Sequence, residues 1–159
     1  MLQAYADQPD AFTATVAERT PLPLSWWAER TSDAPGSPEL VYGAFVDAQL
    51  IGVAGLEFGR QRRTAHKATL FGMFVQPPFR GEGTARALVG AVVKHAESAP
   101  GTRILRLSVT ESNTPALRLY ASCGFRAFGT EPYALRVGDR FLSKVHMWRS
   151  VGPVEEPPG

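Results

Sequence analysis

The stretch of this 159-residue chain with the clearest chemical content is Phe74-Val75-Gln76-Pro77-Pro78-Phe79-Arg80-Gly81-Glu82-Gly83-Thr84-Ala85, where an apolar run breaks at a Pro-Pro pair and a helical pattern begins after two closely spaced glycines. Glycines there have a physical use. Without side chains they let several backbone N–H groups at a helix N-terminus approach one anion, and the unpaired donors and helix dipole favour a phosphate or pyrophosphate. A diphosphate-bearing cofactor is one reading; an ordinary Gly-rich turn from strand to helix is the other. The segment is not a Walker loop, since no Gly-Lys-Ser/Thr follows, and it is not the G-x-G-x-x-G dinucleotide fingerprint. Other reactive residue types are sparse. Cys123 is the single cysteine and has no His partner pattern nearby, so it reads as packing and not as a nucleophile. Arg60, Arg62, Arg63 and Lys67 cluster around His66 in what reads as a solvated loop, with recruitment of an acidic acceptor as the alternative. Trp26-Trp27 reads as core or lid, with an acceptor pocket as the alternative.

Elements of specific kinds must position these groups. Pro9 to Arg19 and Leu24 to Arg30 read as two short helical stretches joined by a Pro-containing turn. Leu40 to Val46 and Ile51 to Leu56 are β-rich runs around a short polar break, which predicts a hairpin. A third strand, Thr69 to Val75, follows the basic loop and is expected antiparallel to the second. The period then changes: Ala85, Leu88, Val89, Val92, Val93 and Ala96 make one apolar face of a helix from about Gly83 to Ser98, stopped by Pro100-Gly101. Arg103 to Val109 reads as a strand parallel to the third, because the intervening helix is a crossover. Asn113 predicts the N-cap of a second helix with Pro115 in its first turn and Gly124 as its stop. Strands Phe125 to Glu131 and Arg140 to Trp148 flank the turn Val137-Gly138-Asp139. The expected class is α+β with a mixed sheet.

Composition bounds the rest. With 44% hydrophobic and 20% charged residues the chain suits one domain, expected over residues 1–150, with a flexible tail over 151–159. The 17 Lys and Arg against 15 Asp and Glu leave a formal charge of +2, too balanced to call for a nucleic-acid partner. The longest apolar run, Ala87 to Val93, falls far short of the roughly 20 residues of a membrane-spanning helix. No signal-peptide pattern opens the chain and one cysteine cannot make an internal disulfide, so a cytoplasmic protein is expected.

Two segments together resemble the GNAT N-acetyltransferase superfamily. Arg80-Gly81-Glu82-Gly83-Thr84-Ala85 is similar to its Q/R-x-x-G-x-G/A signature, and Val109, Asn113, Ala116, Leu119-Tyr120 and Gly124-Phe125 reproduce V-x3-N-x2-A-x2-L-Y-x3-G-F at the expected distance. The resemblance spans roughly Val41 to Trp148. It implies a mixed, mostly antiparallel central sheet whose two parallel middle strands splay apart to receive the pantetheine arm of acetyl-CoA, with flanking helices. It implies direct acetyl transfer from acetyl-CoA to a primary amine in a ternary complex, with no metal. The backbone of Met73, Phe74 and Val75 would bind the arm and polarise the thioester carbonyl. Arg80, Gly81, Glu82, Gly83, Thr84, Ala85 and Arg86 would hold the pyrophosphate, and Asn113 would touch the cofactor or only cap its helix. Tyr120 would protonate the departing thiolate, with a core tyrosine as the plain alternative.

The chain departs from that pattern twice. Members open with a strand before the region resembling Asp7-Gln8-Pro9-Asp10-Ala11-Phe12, but six residues precede it here, so the first strand is expected to be missing. The strand Thr69 to Val75, where many relatives carry a carboxylate or histidine base, carries none; Glu57 and His66 are the nearest candidates. The readings that compete with a small-amine transferase are a non-catalytic acyl-CoA-binding module and a transferase for a protein N-terminus or lysine. Acceptor identity and oligomeric state stay open, a homo-oligomer included.

Overall fold

A computed structural model describes residues 1–153. Its order is α1 (Leu2–Asp7), a 3-10 turn (Pro9–Ala11), α2 (Val16–Arg19), α3 (Leu24–Arg30), β1 (Glu39–Val46), β2 (Gln49–Phe58), β3 (Lys67–Val75), a 3-10 turn (Pro77–Phe79), α4 (Thr84–Ser98), β4 (Ile104–Thr110), α5 (Thr114–Ser122), β5 (Arg126–Val137) and β6 (Arg140–Ser150). The six strands form one sheet in the order β1-β2-β3-β4-β6-β5. Every neighbouring pair is antiparallel except β3 and β4. The mixed sheet with its parallel central pair is therefore as expected, and β1 is its edge.

One face of this sheet carries the core. The periodic face of α4, Leu88, Val89, Val92, Val93 and Ala96, is buried against Ala54, Leu56, Ala68, Leu70, Leu105 and Leu107. Helix α5 adds Tyr120, and Phe125 follows it into the same cluster. Leu56 and Leu105 are wholly buried, so truncating either to Ala is expected to cost about 2–5 kcal/mol. The opposite face of the sheet is partly covered by the N-terminal segment.

The N-terminal third differs from its reading in sequence. The single stretch Pro9 to Arg19 is interrupted: Phe12 is extended, and Thr15 starts a new turn through a capping box with Glu18. Helix α1 was not apparent in the sequence and is held by one buried side chain, Ala4. Strand β5 runs to Val137, beyond the expected Glu131, because it carries extra residues at two breaks in register, Ala127/Gly129 and Glu131/Leu135. At the C-terminal end Val151 is buried, and its N–H donates to the Arg103 carbonyl. The tail expected over 151–159 lies, from residue 154 onward, outside the described residues. Among the described residues, no helix is long and apolar enough to cross a membrane.

Candidate functional site

The parallel pair at the centre of the sheet is barely paired. Strand β3 meets β4 only through Lys67 with Ile104, Ala68 with Leu105 and Thr69 with Arg106. Beyond Thr69 and Arg106 the two strands separate, and a cavity of about 530 Å³ opens between them. Its lining shows where it runs. Leu70 to Val75 contribute without a gap, and so do Leu107, Ser108, Val109 and Thr110. Successive strand residues point to opposite faces. A cavity lined by all of them therefore wraps the free edges of both strands and passes through the sheet. The backbone groups on those edges have no partner strand, so they are available to a ligand.

The helix side of the opening is built by α4 and α5. Gly81 and Gly83 have φ of +80° and +87°, and a Cβ at either would stand in open space. Such backbone favours glycine. Gly83 is the N-cap of α4 and gives it no side-chain cap, which leaves first-turn N–H groups free beside the cavity. Gly81, Gly83, Ala85 and Arg86 line it; Glu82 and Thr84 do not. Arg80 lines the cavity too, but it is already engaged: its Nε donates to the Val75 carbonyl at 2.8 Å and its guanidinium lies 5.5 Å from the Phe74 ring centre. In the amide orientation that satisfies both groups, the Gln8 oxygen accepts from Arg80 at 3.1 and 3.2 Å. Arg86 reaches across to donate to Ser122 Oγ at 2.8 Å, bracing α4 on α5.

Asn113 does what its position in the sequence suggests for a cap, accepting from the Ala116 N–H at 3.3 Å, and it also lines the cavity. Tyr120 stands in the lining with its ring packed edge-on against Phe125 at 5.9 Å. Its residue is 6% exposed, and burial, with a smaller contribution from the neighbouring Cys123 thiol, pushes its phenol up to about 12. Among the described residues its hydroxyl makes no hydrogen bond. Met73, Phe74 and Val75 lie on the opposite wall. There β3 carries one residue more than β2 between Phe71 and Phe74, and Gly72, at φ +63°, allows this bulge.

The structure does not bring the two base candidates to this place. Glu57 sits opposite Glu39 and Thr69, where β3 and β4 are still paired, and is outside the lining. His66 is exposed and serves through its carbonyl, which accepts from the Arg103 N–H. Trp26 is also remote: it is stacked between Arg19 and Arg30, 4.7 and 4.8 Å from its ring centre.

Several residues of the site carry no local signal. Gln8, Ala11 and Phe12 form a wall on the face away from α4. That wall is tied down by distant residues: Thr110 Oγ1 donates to the Asp10 carbonyl, Arg140 pairs with Asp10 at 3.3 Å, and Lys144 Nζ donates to Thr13 Oγ1 at 2.9 Å. On the same face Ser108 lies directly across from His146 in the β4/β6 register, and His146 Nε2 is 2.8 Å from Glu131 Oε2. Lys144, beside them, is pushed below its ordinary value by burial, against the opposing pull of Glu131.

Comparison with known proteins gives this geometry a context. The profile of the Acetyltransferase (GNAT) family matches residues 1–125. The chain is 31% identical over 134 residues to the L-amino acid N-acetyltransferase AaaT of Escherichia coli (strain K12), covering 83% of this chain and 80% of that protein. It is 29% identical over 119 residues to the [ribosomal protein bS18]-alanine N-acetyltransferase of Salmonella typhimurium, covering 71% of this chain and 80% of that one. In fold it is similar to yncA from Salmonella typhimurium, solved with its cofactor acetyl-CoA, at a TM-score of 0.76 and 18% identity over 99% of this chain and 88% of that one.

Proposed function

The chain belongs to the GNAT acetyltransferase family and is an acetyl-CoA-dependent N-acetyltransferase, and from that premise we propose that it acetylates the primary amine of a small acceptor by direct attack in a ternary complex. The class of acceptor we favour is the free amino acid, because the relative acting on L-amino acids aligns over most of both chains. The observation that carries the proposal is the cavity that passes through the sheet between β3 and β4. It lets one substrate enter from the helix side and the other from the opposite face.

The residues present suit acetyl-CoA. Unpaired edge groups of Met73, Phe74 and Val75 would bind the pantetheine arm, and one N–H there would polarise the thioester carbonyl. The turn from Arg80 to Arg86 would hold the pyrophosphate through backbone N–H groups at Gly81, Gly83, Ala85 and Arg86, with Glu82 and Thr84 contributing only main chain. Arg80 would hold that turn against β3, and Asn113 would fix the start of α5 beside the arm. Bound there, acetyl-CoA supplies an activated acetyl group and a thiolate leaving group. Tyr120 would give its Oη proton to the sulfur only as negative charge develops there, because burial makes its phenol a weaker acid than usual. The amine must first lose a proton. Glu57, outside the cavity wall, would serve only through intervening water.

The test is an acceptor screen that follows free CoA over the L-amino acids, other small amines and an alanine-initiated peptide. Turnover with one or more amino acids is expected. Turnover with the peptide alone would replace this reading by N-terminal acetylation of a protein, and tight acetyl-CoA binding without turnover of any amine would replace it by a binding module.

A further inference from the structure

We propose that His146 is the base that takes the proton from the acceptor ammonium and that Glu131 is its positioning residue, a reading that rests on the transferase function above. The pair stands on the face of the sheet opposite α5. His146 is directly across from Ser108, which lines the cavity; the imidazole itself stands one strand back from the lining, so it would draw the proton through water held beside the small Ser108 side chain. Tyr120 thus lines the gap from the α5 side, and His146 lies behind Ser108 on the other face of the sheet. Addition of the amine to the thioester carbonyl and expulsion of the thiolate from the tetrahedral intermediate call for proton transfers at two different atoms, nitrogen and sulfur, so a separate base and acid suit the reaction.

The pair exists because of a one-residue insertion in β5. Ala127 faces Met147, but Gly129 faces His146, so Phe128 is extra and the residues from Gly129 to Glu131 are shifted by one. A shift of one residue moves a side chain to the other face of the sheet. Without it Glu131 would face Ser143 and point toward the helix side. With it Glu131 faces Lys144 and lies diagonal to His146, close enough for the 2.8 Å contact. Bulges that re-aim a side chain recur next to active sites. The carboxylate also sets the tautomer: Nε2–H donates to Glu131, which leaves the Nδ1 lone pair free to accept a proton. Nδ1 has no hydrogen-bond partner among the described residues. The ring is only partly exposed, with Phe128 packed 6.0 Å from it on the outer side.

The proton balance closes with these groups. The ammonium gives one proton to Nδ1 through the water beside Ser108, and Glu131 stabilises the resulting imidazolium; that proton then passes to bulk solvent. As the N–C bond forms and the C–S bond breaks, Tyr120 protonates the sulfur, and the second amine proton restores the phenol through solvent. One proton is released per turnover.

The experiment measures kcat/KM against pH for wild type, His146→Gln, Glu131→Gln and Glu57→Gln, with acetyl-CoA and whichever L-amino acid turns over fastest, or the alanine-initiated peptide if none does. Failure of every L-amino acid and every other small amine sinks the small-amine reading, whereas the base is judged only by the variants. The charged groups around the ring are Glu131 on β5, Lys144 on its own strand, Arg106 on β4, and farther along the Asp10–Arg140 pair. Loss of about 100-fold in kcat/KM at pH 7 is expected for His146→Gln, with the acidic limb of the profile abolished. Glu131→Gln should lower kcat by about 10-fold with acetyl-CoA affinity unchanged, and Glu131→Asp should restore part of that loss. Methoxyamine, unprotonated at pH 7, needs no base, so with it His146→Gln should lose at least about 10-fold less. Equal losses with both nucleophiles, or an acidic limb that moves in Glu57→Gln and not in His146→Gln, would overturn the assignment. Acetyl-CoA affinity and thermal unfolding of each variant establish that it is folded.

Discussion

Tyr120 joins two properties that its place in the sequence could only suggest: it lines the opening between β3 and β4, and burial pushes its phenol up from the ordinary value. Tyr120→Phe is expected to lower kcat by about 100-fold while leaving acetyl-CoA affinity nearly unchanged, read by steady-state kinetics and calorimetry. Its pH linkage has a definite sign. An unfolded tyrosine titrates near about 10, and this one at about 12. Below the lower value both states hold the proton and the stabilisation is complete. Between the two the unfolded chain binds fewer protons, so stability falls as pH rises. Alkaline unfolding of Tyr120→Phe should therefore fall less steeply than wild type between pH 10 and 12. Tyr120 and Asn113 were legible in the sequence because each belongs to a pattern of near neighbours, with Ala116 and Gly124 at fixed offsets. Glu131 and His146 were not. Their contact depends on which strand lies beside β6 and on an inserted residue, and neither is visible in a linear pattern of alternating side chains.

Helix α4 shows how far periodicity carries and where it stops. Its apolar face, its start after Gly83 and its end before Pro100 all agree with the structure, because each is decided within a turn or two of helix. The loose pairing of β3 with β4 is a property of two elements separated by that helix, and only the family resemblance anticipated it. At the start of α4, Gly83→Ala introduces a Cβ into the open cradle and into left-handed backbone. Acetyl-CoA binding should weaken by at least about 10-fold, and the strain of about 1–2 kcal/mol should lower Tm by a few degrees. Unchanged affinity in a folded variant would remove the turn from the binding site. The exposed loop between β2 and β3 gives the opposite expectation. Arg62 and Arg63 are exposed, so changing both to Ser should leave the rate at physiological salt unaltered, and a salt-dependent rise in acceptor KM would point instead to an acidic substrate.

The whole molecule closes its cavity with parts that are far apart in the chain. Gln8, Ala11 and Phe12 form one wall, and Thr110, Arg140 and Lys144 hold it in place through Asp10 and Thr13. Because these ties touch the wall and not the turn at Gly83, Thr13→Ala with Arg140→Ala should raise the acceptor KM several-fold and leave acetyl-CoA affinity within error, measured by kinetics and calorimetry. The arrangement also sets an order of events during synthesis. Residues 8 to 13 leave the ribosome well before their anchors at 140 and 144. Until strand β6, which lies between β4 and β5, inserts, the wall has Thr110 to grip but not Arg140 or Lys144. The nascent chain can thus bury much of its α4 core while one side of the opening is held only loosely, and that side becomes fixed when the β5–β6 hairpin docks.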